Sequence, residues 1–283
     1  MLNSMQGKFC LITGANSGIG KATAIGLAKL NAHIVMLCRD KTRGEEAKSE
    51  IITESGNESI DLLLADLASQ QSIRQFVAEL QMKYDKLHIL INNAGVNPSK
   101  RYETVDGLEK TFAINTLAPF LLTNLLLPTI KNSIPARIIN VASAVQSKSI
   151  NFENLQFNKH FRSWKTYSQS KTALIIITYE FARRLNGSGV TVNCLHPGGV
   201  KTNIIQDYKG IIKFFTKIIF SFAKNPEEGA KTSIYLASSP KVEKVSGKYF
   251  IDKKEAKSKD VTYNKSIAER LWNICAELTN FAT

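Results

Sequence analysis

The sequence predicts an α/β fold, a doubly wound parallel sheet with helices on both faces in a three-layer α/β/α sandwich, and three observations carry that expectation. Short, continuous apolar runs alternate with longer helix-forming stretches, the pattern of strands buried on both faces and joined by crossover helices. The first run opens directly into a glycine-rich turn, Gly14-Ala-Asn-Ser-Gly-Ile-Gly20. Polar motifs recur just after the runs, at the carboxyl edge where open sheets of this class bind ligands.

Taken in order, residues 9–12 read as a buried strand and 21–30 as the helix after the glycine turn. Residues 33–38 form the second strand, closed by the charged break Arg39-Asp40-Lys41, and 41–55 an exposed helix. The third strand, 59–65, ends at Asp66-Leu67; helix 69–84 follows, with Ile73, Phe76, Val77 and Leu80 on one face. Strand 87–91 runs into Asn92-Asn-Ala-Gly95, and a long helix is expected from about 104 to 130. Strand 137–141, helix 164–185 and strand 190–195 complete the alternation. Right-handed crossovers between such strands produce the doubly wound sheet. No repeat or low-complexity linker divides the 283 residues, so one domain spanning 1–283 is expected.

An apolar fraction of 43% and a charged fraction of 22% are those of an ordinary globular chain. The formal net charge of +13 favours acidic partners such as a phosphorylated cofactor or an anionic lipid surface. The lysines are scattered and no aromatic-interleaved basic motif occurs, which argues against nucleic acid. Cys10, Cys38, Cys194 and Cys275 lie far apart, mostly in or beside apolar runs, as reduced core thiols of a reducing compartment do. The Cys and His spacings fit no metal site. The apolar run between Lys110 and Lys131 has the length of a membrane span, but Asn115, Pro119, Asn124 and Pro128 interrupt it, so a buried helix is the expectation. The first strand begins almost at once, leaving no room for a signal peptide or anchor, and a cytoplasmic protein is expected.

The glycine turn has the chemistry of a pyrophosphate cradle. Glycines permit the sharp bend and the close approach of phosphate to backbone, and the first amides of the next helix are unpaired at its positive end. At the end of the second strand an acidic residue would bond a ribose 2′-hydroxyl, whereas Arg39 would pair with a 2′-phosphate. NADP(H) is therefore expected in preference to NAD(H), with Arg43 a second phosphate contact. Tyr167 and Lys171 stand four residues apart, on one face of a helix. A nearby ammonium is expected to lower the phenol's pKa and let it exchange a proton, with Ser143 bonding the same substrate oxygen.

These motifs, with Asn115 and the Pro197-Gly198…Thr202 loop, resemble the short-chain dehydrogenase/reductase family and cover most of the chain. Leu37-Cys-Arg-Asp40, Phe152-Glu-Asn-Leu155, Ala182-Arg-Arg-Leu185, Ala268-Glu-Arg-Leu-Trp272 and the long gap from Ser143 to Tyr167 are similar to its retinol-dehydrogenase-like branch. The resemblance implies a Rossmann-type fold and a division of roles. Gly14, Asn16, Ser17, Gly18, Ile19 and Gly20 would hold the pyrophosphate, Asp66 and Leu67 would flank the adenine, and Asn93, Ala94 and Gly95 would meet the cofactor's backbone. Pro197, Gly198, Val200 and Thr202 would cover the nicotinamide, Tyr167 would be the general acid/base, and Lys171 would tune it and hold the ribose. Ser143 would orient the substrate oxygen and Asn115 would support a water-linked proton relay. A dimer or tetramer is implied, and the membrane anchor that animal members of the branch often carry is not evident at this N-terminus.

Residues 204–224 alternate apolar side chains with Lys209, Lys213, Lys217 and Lys224 at helical spacing. Within a variable substrate segment at 200–225, this basic amphipathic helix would close over an apolar pocket, lie peripherally on an anionic bilayer, or pack on the core. The sequence thus predicts an NADP(H)-dependent oxidoreductase acting on an apolar alcohol or carbonyl such as retinol, retinal or a long-chain aldehyde. Its rivals are a dinucleotide sensor without turnover, which would not need Ser143, Tyr167 and Lys171, and a membrane-bound scaffold, which rests only on the basic helix.

Overall fold

The computed structural model describes residues 4–199 and 225–282. The segment expected to form a lid or membrane helix, with Val200 and Thr202, lies outside these residues. Among the described residues the sheet has eight strands in the order β3-β2-β1-β4-β5-β6-β7-β8. They are β1 Phe9–Thr13, β2 His33–Cys38, β3 Ile60–Leu64, β4 Ile89–Asn92, β5 Ala136–Val141, β6 Val190–His196, β7 Tyr249–Ile251 and β8 Lys254–Ala256. All pairings are parallel except β7–β8, a short hairpin at the edge. The order reverses between β1 and β4, the switch point beyond whose carboxyl ends a crevice opens.

Among the described residues the α-helices are α1 Gly18–Ala28, α2 Lys41–Ser55, α3 Gln70–Lys83, α4 Lys110–Lys131, α5 Ser163–Arg184, α6 Pro226–Ser238 and α7 Lys265–Leu278. Alternation along the strands sorts them into two layers. Cys10, Ile12, Ile34, Met36 and Ile91 point to the layer of α1, α2 and α6, packing on Leu27, Ile51 and Leu236. Leu11, Val35, Leu37 and Leu90 point the other way, to Phe76 of α3, Leu121 of α4, Ile176 of α5 and Trp272 of α7. The four cysteines are buried and free. The apolar run from Lys110 to Lys131 is mostly buried as α4, a core helix that satisfies the span criteria by composition alone.

Two expectations need correction. The fourth helix begins at Lys110, not near Thr104, because Thr104–Leu108 closes as a turn through Thr104 N–H to the Leu108 carbonyl and Gly107 at φ +72°. Glu109 then caps the helix, its carboxylate accepting from the amides of Thr111 and Phe112 at 2.8 and 2.7 Å. The C-terminal hairpin and helices α6 and α7 extend the alternation beyond the last expected strand. Strands of three residues, one of them the polar Lys-Glu-Ala of β8, carry too little periodicity to be read from sequence.

Candidate active site

A cleft of about 500 Å³ runs along the carboxyl ends of β1, β2, β4, β5 and β6. Its size suits a large ligand. At one side lies the glycine turn. Gly14 takes φ +66°, where a side chain would be strained, and sits against Ala94. Gly20 has no room for any side chain, since a Cβ would come 2.3 Å from the Gly14 carbonyl oxygen and 2.5 Å from Asn93 Nδ2. Ser17 is the N-cap of α1, yet its hydroxyl makes no capping bond. The helix therefore presents unpaired amides and a spare hydroxyl toward the cleft, which fits a pyrophosphate.

The turn is held from behind by β4. Thr13 Oγ1 accepts from the amides of Asn93 and Ala94, each at 2.9 Å, and Asn93 Nδ2 donates to the Thr13 carbonyl at 2.8 Å. Asn93 thus braces the glycine turn as well as lining the cleft. Thr13, which sequence reasoning passed over, is the junction of the two turns; its signal was only its place at a strand end. Asn92, the neighbouring residue, points into the sheet and bonds Thr123 and Asn140.

Arg39, Asp40 and Arg43 line the far end of the cleft with Asp66 and Leu67. Asp40 Oδ1 accepts from the Arg43 amide at 2.9 Å, so part of this carboxylate is engaged in capping α2 while the two guanidinium groups border the cleft. Asp66 Oδ1 accepts from the Ala68 amide at 2.9 Å, shaping the turn after β3. Asn16, Ser17, Gly18, Ile19, Gly95, Pro197 and Gly198 also line the cleft, whereas Val200 and Thr202 fall outside the described residues.

Ser143, Tyr167 and Lys171 meet at the cleft floor. Ser143 follows β5; its hydroxyl accepts from the Val145 amide at 3.0 Å and lies near the Tyr167 phenol, whose pKa it lowers. Its carbonyl is fixed by the Tyr249 hydroxyl at 3.1 Å and Gln146 Nε2 at 3.2 Å. Lys171 Nζ donates to the Val141 carbonyl at 2.8 Å, and Gly95 leaves it room, since a Cβ there would lie 3.2 Å from the ammonium. Burial lowers the Lys171 pKa to about 8.

The expected direction for the phenol is reversed. Burial pushes the Tyr167 pKa up and Ser143 only partly offsets it. The protein's own groups thus hold this phenol protonated. Asn115 is fully buried behind the cleft, in a π-helical stretch of α4 over Ala113–Leu117. Its Oδ1 accepts from the Val96 amide at 2.8 Å, and its Nδ2 donates to the Val96 carbonyl and to Ser170 Oγ, each at 3.0 Å. With these bonds made, the side chain braces the strand-end loop against α5. Trp164, Asn97, Val145 and His196 line the cleft and were not singled out from sequence; Trp164 could have been, standing one helical turn before Tyr167.

Comparison with known proteins agrees with this geometry. The family model described as short chain dehydrogenase matches residues 8–210. Human retinol dehydrogenase 14 is 44% identical, with 95% of this chain and 85% of that protein covered. Human polyprenol dehydrogenase is 39% identical over 96% of this chain and 85% of its own length. Among solved structures, a protein of Mycobacterium Paratuberculosis superposes with a TM-score of 0.80 at 30% identity, covering 100% of this chain and 97% of the other. Pseudomonas aeruginosa RhlG, solved as a complex with NADP, superposes with a TM-score of 0.68 at 25% identity, covering 87% and 95%. A glycine cradle, an engaged Ser-Tyr-Lys floor and these similarities lead to one assignment: the chain belongs to the short-chain dehydrogenase/reductase family of oxidoreductases, in its retinol-dehydrogenase-like branch.

Proposed function

We propose that this protein moves hydride between NADP(H) and an apolar alcohol or carbonyl compound, with Tyr167 as the general acid/base. The observation that carries the reading is the junction of Ser143, Tyr167 and Lys171 on the floor of the cleft that the glycine turn and Arg39 border. The nicotinamide, when bound, supplies or accepts the hydride. Arg39 and Arg43 are suited to a 2′-phosphate because guanidinium forks pair with phosphate oxygens, and the amides at the start of α1 are suited to the pyrophosphate. Ser143 donates to the substrate oxygen and steadies its developing charge. Tyr167, held protonated by burial, gives its phenolic proton to that oxygen during reduction and takes it back from the alcohol in the reverse direction. Lys171 contributes positive charge below pH about 8 and would hold the ribose of the bound cofactor. The similarity to retinol and polyprenol dehydrogenases favours a long apolar alcohol as substrate.

The test is oxidation of NADPH by the purified protein against medium- and long-chain aldehydes and retinal, with Tyr167→Phe in parallel. Turnover in the wild type that falls at least a thousandfold in Tyr167→Phe, with NADPH affinity within about twofold, is expected. A Tyr167→Phe variant that turns over at the wild-type rate would remove the phenol from the mechanism.

A further inference from the structure

The chain has two tryptophans, and the fold uses them differently. Trp272 is 4% exposed, edge-on to Phe120 and Phe181 with ring centroids 4.8 Å away in each case, an ordinary core residue. Trp164 is 60% exposed, yet it lines the cleft. It sits in the first turn of α5, the helix that carries the proton donor, one turn before Tyr167. Their rings are stacked, centroids 6.2 Å apart and planes 28° from parallel. The start of that helix is fixed: Ser163 Oγ donates to Asn97 Oδ1 at 2.7 Å, and Asn97 is a buried residue of the loop after β4. The indole is thus a flat apolar wall set at a defined angle beside the phenol that reaches the reacting oxygen.

The geometry points to Trp164 as the residue that selects substrates by the carbon chain next to the reacting carbon, favouring a flat conjugated chain over a saturated one. This rests on the hydride-transfer reading above. A conjugated chain can stack offset on an indole face, which adds to the gain from burying area; a puckered saturated chain has only the area. The stacking increment corresponds to roughly three- to tenfold in kcat/KM.

The test compares trans-cinnamaldehyde with 3-phenylpropanal, which differ by the conjugated double bond, as NADPH-dependent substrates of the wild type, Trp164→Ala and Trp164→Phe. Intrinsic reactivity cancels when the preference ratio of a variant is divided by that of the wild type. A three- to tenfold fall in the ratio for Trp164→Ala, with most of the preference kept in Trp164→Phe, is expected. A ratio unchanged in Trp164→Ala overturns the inference. A second readout needs no turnover: Trp164 is exposed and Trp272 buried, so iodide should quench Trp164 selectively and saturating cinnamyl alcohol should protect the wild-type emission from it. Protection without turnover of any aldehyde would count against hydride transfer while supporting contact at Trp164, and absence of protection would overturn the contact itself.

Discussion

Lys171 is held at a cost, and that cost has a pH signature. The side chain is 3% exposed and its pKa falls from 10.5 to about 8 because burial disfavours the ammonium. At about 1.4 kcal/mol per tenfold change in proton affinity, holding the charge in the folded protein costs roughly 3 kcal/mol at neutral pH. Below pH about 8 the amine is protonated in both folded and unfolded chains and the penalty is complete. Between about 8 and 10.5 the unfolded chain binds the proton and the folded one does not, so stability rises with pH; above 10.5 the penalty is gone. Replacing the residue by Met removes this dependence, although it also strips the Val141 carbonyl of its 2.8 Å donor, a pH-independent loss of about 1–3 kcal/mol. Urea unfolding of wild type and Lys171→Met at pH 7, 8, 9 and 10 isolates the effect, because every other lysine cancels in the difference. The stability of the variant relative to wild type should decline by roughly 2–3 kcal/mol across that range. Carbonyl reduction by the wild type should fall off above pH about 8 in kcat/KM, which reports the free enzyme. A stability difference that is flat with pH would refute the claim that burial strains this ammonium.

Further outcomes follow from other parts of the structure. Arg39→Asp should move the NADPH-to-NADH ratio of kcat/KM at least tenfold towards NADH, by replacing a phosphate partner with an acceptor for a 2′-hydroxyl; steady-state kinetics with both cofactors checks it. Gly20→Ala places a Cβ 2.3 Å from the Gly14 oxygen, so the strand-to-helix turn must shift. About 1–3 kcal/mol of destabilisation is expected, a drop in Tm of several degrees accompanied by weaker NADPH binding, read by melting with and without cofactor. At the opposite edge of the sheet, Asp61 accepts from Tyr84 Oη at 2.5 Å and Lys83 Nζ at 3.1 Å and lies 2.7 Å from His33 Nε2. Partial burial raises its pKa, but these bonds outweigh it and bring it from 3.8 to about 2. Its stabilisation is complete above pH about 4 and lost as pH falls towards 2, so Asp61→Asn should be less stable at neutral pH and should lose less on acidification, measured by chemical denaturation at pH 7 and 3.

The strands around the switch point were legible because both faces of each are covered. Residues 34–38 are an uninterrupted apolar run, 190–195 are apolar but for Thr191 and Asn193, and α2 is bounded by Asp40 and Gly56, a capping side chain and a left-handed glycine at φ +70°. The β7–β8 hairpin offered no such signal, although its Tyr249 is among the largest fully buried side chains and fixes the Ser143 carbonyl. Within the site, the residues whose chemistry is local were readable: a glycine that cannot bear a Cβ, a phenol and an amine one helical turn apart. Effects created by tertiary packing were not. Proximity in sequence suggested that the ammonium lowers the phenol's pKa, but in the fold the ammonium bonds Val141 and burial governs both groups, moving the phenol up and the amine down. Asn115 is similar: its presence was visible, its three bonds to Val96 and Ser170 were not.

Those bonds explain how a helix as long as α5 can place its phenol reproducibly on the floor of a cleft. Ser170, one turn after Tyr167, accepts from Asn115 and donates through Oγ to the Tyr167 carbonyl at 2.8 Å, while Thr116 Oγ1 donates to the Ser170 carbonyl at 2.9 Å. Both partners, Asn115 and Thr116, belong to the π-helical stretch of α4, where the wider turn changes which side chains face the neighbouring helix. The same Asn115 grips both backbone groups of Val96, in the loop that begins with Asn93. Asn93 in turn holds the glycine turn through Thr13. A chain of hydrogen bonds, part-buried at the cradle and fully buried at α5, therefore runs from the phosphate cradle through the loop after β4 and the π-helical stretch to the backbone of the proton donor. Buried polar groups tolerate little displacement, because each broken bond leaves an unpaired group away from water. The two halves of the cleft are thereby set at a fixed separation by residues that touch neither hydride nor proton.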